Sequence, residues 1–187
     1  MKENRFGRAR VLSAEQMDLI HHELPEGVHR IVAQICRRTS CRISEALKLR
    51  WRYILDEEII LTARTVKGGK RTRSIPLHPL LKVHLLTWRE ECAPLNGPND
   101  WVCPGRNPFE HLTRQSFDYQ MRQVTKRLEI AGASSHSFRR TALSEGHKKG
   151  IGLRTLQSLS GHQNLQTLSR YIEIDDQQKR DAVNAFL

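Results

Sequence analysis

The sequence predicts a mainly α-helical domain of the α+β class, with one small antiparallel β-hairpin. Three observations lead there. Most of the chain places apolar residues at three- and four-residue spacing between cap and breaker residues, as helices packed on a core require. Only residues 54–77 switch to the two-residue period of strands, on either side of a Gly68-Gly69 turn. The length of 187 residues suits a single domain, long enough to bury roughly 70% of its unfolded surface.

Residues 1–12 hold four Arg/Lys and little apolar content, and are expected to form a basic arm that frays or touches phosphate. Residues 13–174 would form the main domain, and 175–187 a tail. Ser13-x-x-Gln16 is a capping box opening a helix to about Leu24, which Pro25-Glu26-Gly27 breaks. A second helix is predicted over 28–38, with Ile31, Val32 and Ile35 as its buried stripe. Residues 42–49 read as a third, with Leu47, Leu49 and Trp51 turned to the core.

Strands are expected at 59–62 and 73–77. The loop between them carries a run of five basic residues from Arg64 to Arg73, suited to solvent or to a DNA groove. His78-Pro79 starts a helix to about Cys92, with Leu81, Leu85, Leu86 and Trp88 toward the core. Residues 94–98 form a loop and 101–103 a short strand. An amphipathic helix covers 113–128, burying Phe117, Met121, Val124 and Leu128, and Gly132 ends it. Ser135 or Ser137 caps the next helix, and 153–159 form a short one. Asn164 caps a last helix, with Tyr171 about two turns in.

Charge narrows the partners. Lys+Arg number 31 against 20 Asp+Glu, a formal charge of +11 with pI near 10.0. Such an excess favours a polyanion, because neutralising phosphates releases counterions. No apolar run approaches the roughly 18 residues that span a bilayer, and no signal-peptide core opens the chain, so a cytoplasmic location is expected. Cys36, Cys41, Cys92 and Cys103 lack metal-finger spacing and are expected to be reduced. His21-His22 reads as a solvated helix face. Neither a metal nor a cofactor is predicted.

The chemistry concentrates in residues 134–174. His136 and Arg139 lie three apart on one helical face, His162 follows in a Ser160-Gly161-His162 turn, and Tyr171 comes next. Cations, imidazoles and a phenol suit a phosphodiester attacked by tyrosine. Arginine's planar fork matches phosphate oxygens and keeps its charge. A phenol with pKa about 10 needs nearby cations to ionise at neutral pH. A second arginine stands far upstream in Arg42-Ile43-Ser44-Glu45, where Glu45 is spaced to orient it.

On these residues the chain resembles the tyrosine recombinase (phage integrase) family. Its pattern is an arginine box, a lysine on a β-hairpin, His-x-x-Arg, a Gly-His turn and a tyrosine. Arg42, Lys67, His136, Arg139, His162 and Tyr171 fill those slots in order. The resemblance implies a site-specific recombinase or integrase acting through a 3′-phosphotyrosyl intermediate without metal or ATP. Arg42 and Arg139 would clamp the phosphate and His162 donate to it, while His136 accepts the phenol's proton. Lys67 would protonate the leaving 5′-oxygen, with Lys70 as its rival. Lys70, Arg71, Arg73, Arg114, Arg122, Lys126 and Arg140 would contact DNA.

Double-stranded DNA is the implied partner, bound by a monomer that assembles into a synaptic tetramer and exchanges its C-terminal tails. Departures from the pattern are Ser40 in place of the usual glycine, Cys41 beside Arg42, Arg140 where histidine is frequent, and Ser160 for a common leucine. Only about 40 residues precede Arg42, so a minimal single-domain form or a fragment are both open. An accessory DNA-binding regulator on the same fold is the alternative, and a type IB topoisomerase a third reading.

Overall fold

The capping box at Ser13 closes in the computed structural model, which describes residues 9–62, 72–92, 94–172, 174 and 176–186. Ser13 Oγ accepts from the Gln16 amide, and Gln16 Oε1 accepts from the Ser13 amide, both at 3.2 Å. This opens α1 (Ala14–Glu23), and Gly27 at φ +73° makes the turn into α2 (Val28–Thr39). Helix α2 is nearly surrounded. It buries the predicted Ile31, Val32 and Ile35 together with Ala33, Gln34 and Cys36, and packs on α1, α3, α4 and α6.

Ser40 ends α2 in the left-handed region, at φ +51°. The chain then re-enters helix at α3 (Ile43–Leu47), shorter than the predicted 42–49, with Arg42 as its extended N-cap. Leu47, Leu49 and Trp51 are buried as expected. Strands β1 (Glu58–Leu61) and β2 (Arg73–Pro76) pair antiparallel with Ile59 opposite Ile75 and Leu61 opposite Arg73. Lys67, Lys70 and Arg71 lie outside the described residues.

Helix α4 (Pro79–Glu91) is capped by His78, whose Nδ1 accepts from the Leu80 amide. Leu81 and Leu85 enter the core, but Leu86 is exposed, one position round the helix from the buried face. The strand predicted at 101–103 reduces to isolated bridges, Arg50 with Trp101 and Pro104 with His111. Helix α5 (Arg114–Arg127) buries Phe117, Met121 and Val124. Glu129, at φ +54°, makes the first left-handed turn after it, ahead of the expected Gly132.

Helix α6 (Ser135–Lys148) is capped by Ser134, not by Ser135 or Ser137. Ser137 instead reaches back from the third helical position, its Oγ accepting from the Ser134 amide at 3.1 Å. Helices α7 (Leu153–Ser160) and α8 (Leu165–Ser169) follow, and α9 (Asp176–Asn184) buries no side chain. One core extends from Leu12 to Phe138, and a smaller cluster of Leu143, Leu156 and Leu168 joins α6, α7 and α8. Among the described residues no helix is long and apolar enough to cross a membrane.

Two expectations about polar segments change. Residues 9–12 belong to the fold: the Arg10 amide donates to Gly132 O at 2.9 Å, and the Leu12 amide to Thr141 Oγ1 at 2.9 Å. His21 is half-buried, its ring 6.0 Å from that of His84, and burial first, then His84, lower its pKa to about 4.

Candidate active site

Arg139 is the centre of the site because α6 turns it inward. Its neighbours Phe138, Thr141 and Leu143 are buried on the same helix, and Arg139 itself is only 2% exposed. A buried guanidinium must find acceptors or forfeit its solvation. Here Nη1 donates to Ser40 O at 2.6 Å and Nη2 to Ser160 O at 2.9 Å. Residues from the end of α2 and the end of α7 thus hold it from two sides. Burial, and then the charge of Arg42, lower its pKa to about 10, so it stays a cation at neutral pH.

Arg42 reaches the same place from the N-terminus of α3. Its charge acts on both Arg139 and His162, and a third of its side chain remains exposed. Glu45, 0% exposed, braces this corner. Its Oε2 accepts from the Arg42 amide at 2.5 Å, and its Oε1 lies 3.7 Å from Arg42 Nη1. The stronger partner is Arg73 on β2, whose Nη1 and Nη2 donate to the two carboxylate oxygens at 2.7 and 2.9 Å. Arg73 Nε also donates to Leu159 O at 2.9 Å, tying β2 to α7. Burial would raise the Glu45 carboxyl's pKa, yet the hydrogen bonds and charge of Arg73 hold it below the ordinary range.

This corrects the expectation for Arg73. A groove-facing cation was predicted, but β2 alternates, and Arg73 shares the inward face with buried Ile75. Arg140 is corrected likewise. It is buried, with Nη1 donating to Ala9 O at 2.8 Å, so it anchors the chain before α1 and does not line a DNA surface.

Gly161 reverses the chain after α7 at φ +68°, and a Cβ there would lie 2.7 Å from Arg73 Nη1. Only glycine satisfies both demands. The turn delivers His162, buried, with Nε2 3.1 Å from Arg139 Nη2 and Nδ1 2.8 Å from Ser160 Oγ. Burial, then Arg139, Arg42 and Arg73, push its pKa down to about 3. The Tyr171 ring lies 4.8 Å from the His162 ring and 5.7 Å from the Arg139 guanidinium, centre to centre.

Tyr171 is not two turns inside a helix. Helix α8 stops at Ser169, and the chain tightens as the Tyr171 amide bonds Leu168 O at 2.8 Å. Buried Leu168 anchors that turn, and Ser144 Oγ on α6 donates to Tyr171 O at 2.9 Å.

His136 sits one turn before Arg139, half-buried, with Nε2 3.4 Å from Arg114 Nη2. Arg114, Arg122 and Lys126 lie eight and four residues apart along α5. Arg114 also pairs with Asp118 at 3.1 Å, while Arg122 and Lys126 are exposed. Among the described residues no three His, Cys, Asp or Glu side chains converge as a metal site would require. Ser40 and Ser160 are members of the site that the sequence does not announce, and Arg73, expected against DNA, is a third.

Several solved structures share this fold. XerA recombinase superposes with TM-score 0.77 at 16% identity, covering 95% of this chain and 65% of that one. XerH site-specific recombinase bound to its difH substrate gives 0.69 at 20% identity, over 95% and 55%. A lambda integrase tetramer bound to a Holliday junction gives 0.71 at 18% identity, over 89% and 48%. The fold is therefore that of site-specific recombinases. A model of the phage integrase family matches residues 10–178, and the chain belongs to that family. Its relatives include tyrosine recombinase XerC of Staphylococcus saprophyticus subsp. saprophyticus, 28% identical over 87% of this chain and 55% of the relative. XerC of Staphylococcus epidermidis is 27% identical over 86% and 54%. The chain thus spans about half the length of these relatives.

Proposed function

We propose that this chain is a tyrosine-type site-specific recombinase that cuts and rejoins double-stranded DNA. One observation carries the reading: a buried, fixed guanidinium at Arg139 flanked by the rings of His162 and Tyr171. The Tyr171 oxygen attacks phosphorus, the P–O5′ bond breaks, and a 3′-phosphotyrosyl link with a free 5′-hydroxyl results. Arg42 and Arg139 hold the non-bridging oxygens as their charge develops, a contribution of ~10²–10³ in rate for one preorganised donor. His136 accepts the phenol's proton, and Lys67 gives one to the departing 5′-oxygen. The new ester keeps the energy of the old one, so rejoining needs neither nucleotide nor metal.

The DNA path runs along the exposed cations Arg122 and Lys126 of α5 and past Arg114, with Lys70 and Arg71, which fall between β1 and β2 in sequence, as further contacts. XerH bound to difH and the lambda integrase tetramer on a Holliday junction support duplex DNA as substrate and a tetramer as the assembled form. Free protein would be a monomer of the cytoplasm. Residues 13–174 would be the catalytic unit, and the tail 175–187, with Val183 and Phe186 exposed, would pass to a neighbouring protomer.

A randomised pool of nicked duplexes tests this. Cleavage beside the nick releases a short strand and traps the covalent complex. A detergent-stable adduct is expected with the natural chain and none with Tyr171→Phe. No adduct from any duplex, under conditions where the protein binds DNA, would refute the proposal.

A further inference from the structure

One neighbour decides the proton order of the His162 ring. Ser160 Oγ lies 2.8 Å from Nδ1, and the serine hydroxyl passes its single proton to Leu156 O at 2.6 Å. Its oxygen is left to accept, so the one N–H of a neutral imidazole sits on Nδ1 and points at Ser160 Oγ. Arg139 Nη2 competes for neither ring lone pair: at 3.1 Å from Nε2 and 3.3 Å from Nδ1 it is nearly equidistant from both and lies over the ring face. The reverse order would ask one hydroxyl proton to serve both Leu156 O and Nδ1.

We propose that Ser160 is a positioning residue that fixes His162 as the Nδ1–H tautomer, leaving Nε2 a hydrogen-bond acceptor in the DNA-free protein. The backbone makes this local. Ser160 is the last residue of α7 and bonds back to the carbonyl four residues earlier, so its remaining lone pairs face outward. Gly161 then turns the chain through the left-handed region and folds the imidazole of residue 162 over that hydroxyl. Ser160 and His162 are both buried, which excludes competing water.

One consequence rests on the recombinase reading. A neutral Nδ1–H imidazole cannot donate from Nε2 to a phosphate oxygen. His162 becomes a donor there only by taking up a proton. The charged groups facing it are Arg139 of α6, Arg42 at the start of α3 and Arg73 of β2, with Glu45 of α3 beside them and the Tyr171 phenol on the last turn. A bound phosphodiester adds the anion that offsets these cations. Productive binding would therefore be accompanied by proton uptake at this ring.

Nitrogen NMR of the DNA-free full chain with labelled histidine tests the tautomer directly, because protonated and bare ring nitrogens resonate far apart. His162 is assigned by its loss in His162→Asn. The expected spectrum at pH 7 shows a protonated Nδ1 and a bare Nε2. In Ser160→Ala the single form should be lost, with the two nitrogens averaging between tautomers, whereas Ser158→Ala, an exposed serine on the same helix, leaves the spectrum unchanged. Circular dichroism checks that both variants fold. A protonated Nε2 in the natural chain, or an unaltered His162 spectrum in folded Ser160→Ala, would overturn the proposal. Neither readout requires DNA, so the result stands apart from whether the chain cleaves it.

Discussion

Replacing Glu45 by alanine should destabilise the fold severely, and the reason is electrostatic. The carboxylate is fully buried and accepts two hydrogen bonds from Arg73 and one from the Arg42 amide. Removing it leaves Arg73, whose side chain is 12% exposed, beside the guanidiniums of Arg42 and Arg139 with their shared counter-charge gone. Removal of one partner from a buried pair costs about 3–5 kcal/mol. For a chain of this size that lowers the melting temperature by roughly 6–20 °C, at about 2–4 °C per kcal/mol.

Acid should expose the same effect. Because the folded carboxyl titrates below its unfolded value, its stabilisation is present above the unfolded pKa of about 4.3. It is lost as pH falls through the folded pKa. Urea unfolding of the natural chain, Glu45→Gln, Arg73→Met and the double variant reads the coupling, expected at about 1.5–3 kcal/mol. Effects of the two single variants that add to within about 0.5 kcal/mol would refute the claim that Glu45 and Arg73 act as a pair.

Other consequences are separable. Arg139→Lys should retain the charge but not the fork to Ser40 O and Ser160 O, slowing cleavage by ~10²-fold or more in single-turnover assays. Leu168→Ala, in the small cluster beneath Tyr171, should lose about 2–5 kcal/mol in urea unfolding and depress adduct formation at temperatures where the variant is folded. His162 titrates near 3 in the fold and near 6.5 unfolded, so the unfolded chain binds the extra proton between those values. Stability should then fall with decreasing pH in that window by up to about 1.4 kcal/mol per unit, and His162→Gln should flatten the slope measured by urea unfolding. Lys126→Ala should weaken DNA binding alike across sequences and reduce the salt slope by about 0.9, measured by titration at several salt concentrations.

Much of this site could be read from residue types and their order, and the limits are physical. The helices announce themselves through caps, as at Ser13 and Asn164, because those side chains satisfy end groups within three residues. The pattern brings positions 42, 139, 162 and 171 together and spaces Glu45 to orient Arg42, but it does not show the other supports. Ser40, Ser160 and the Arg73–Glu45 pair act across long sequence separations that local periodicity does not encode. Charge composition also misdirects, since a basic run does not say which cation turns inward. The signal existed for Arg73, in register with Ile75, and for Arg140, three and four residues from buried Ser137 and Ser144. Tyr171 was placed in a helix because its spacing continues the pattern, whereas its carbonyl is taken by Ser144 and the helix ends first.

The most direct measurement is mass spectrometry of the protein recovered from a trapped DNA complex after nuclease and protease digestion. A nucleotide attached through phosphate to the peptide containing Tyr171, and lost in Arg139→Ala, is the predicted result. A nucleotide on any other residue would contradict the assignment of Tyr171 as the attacking group.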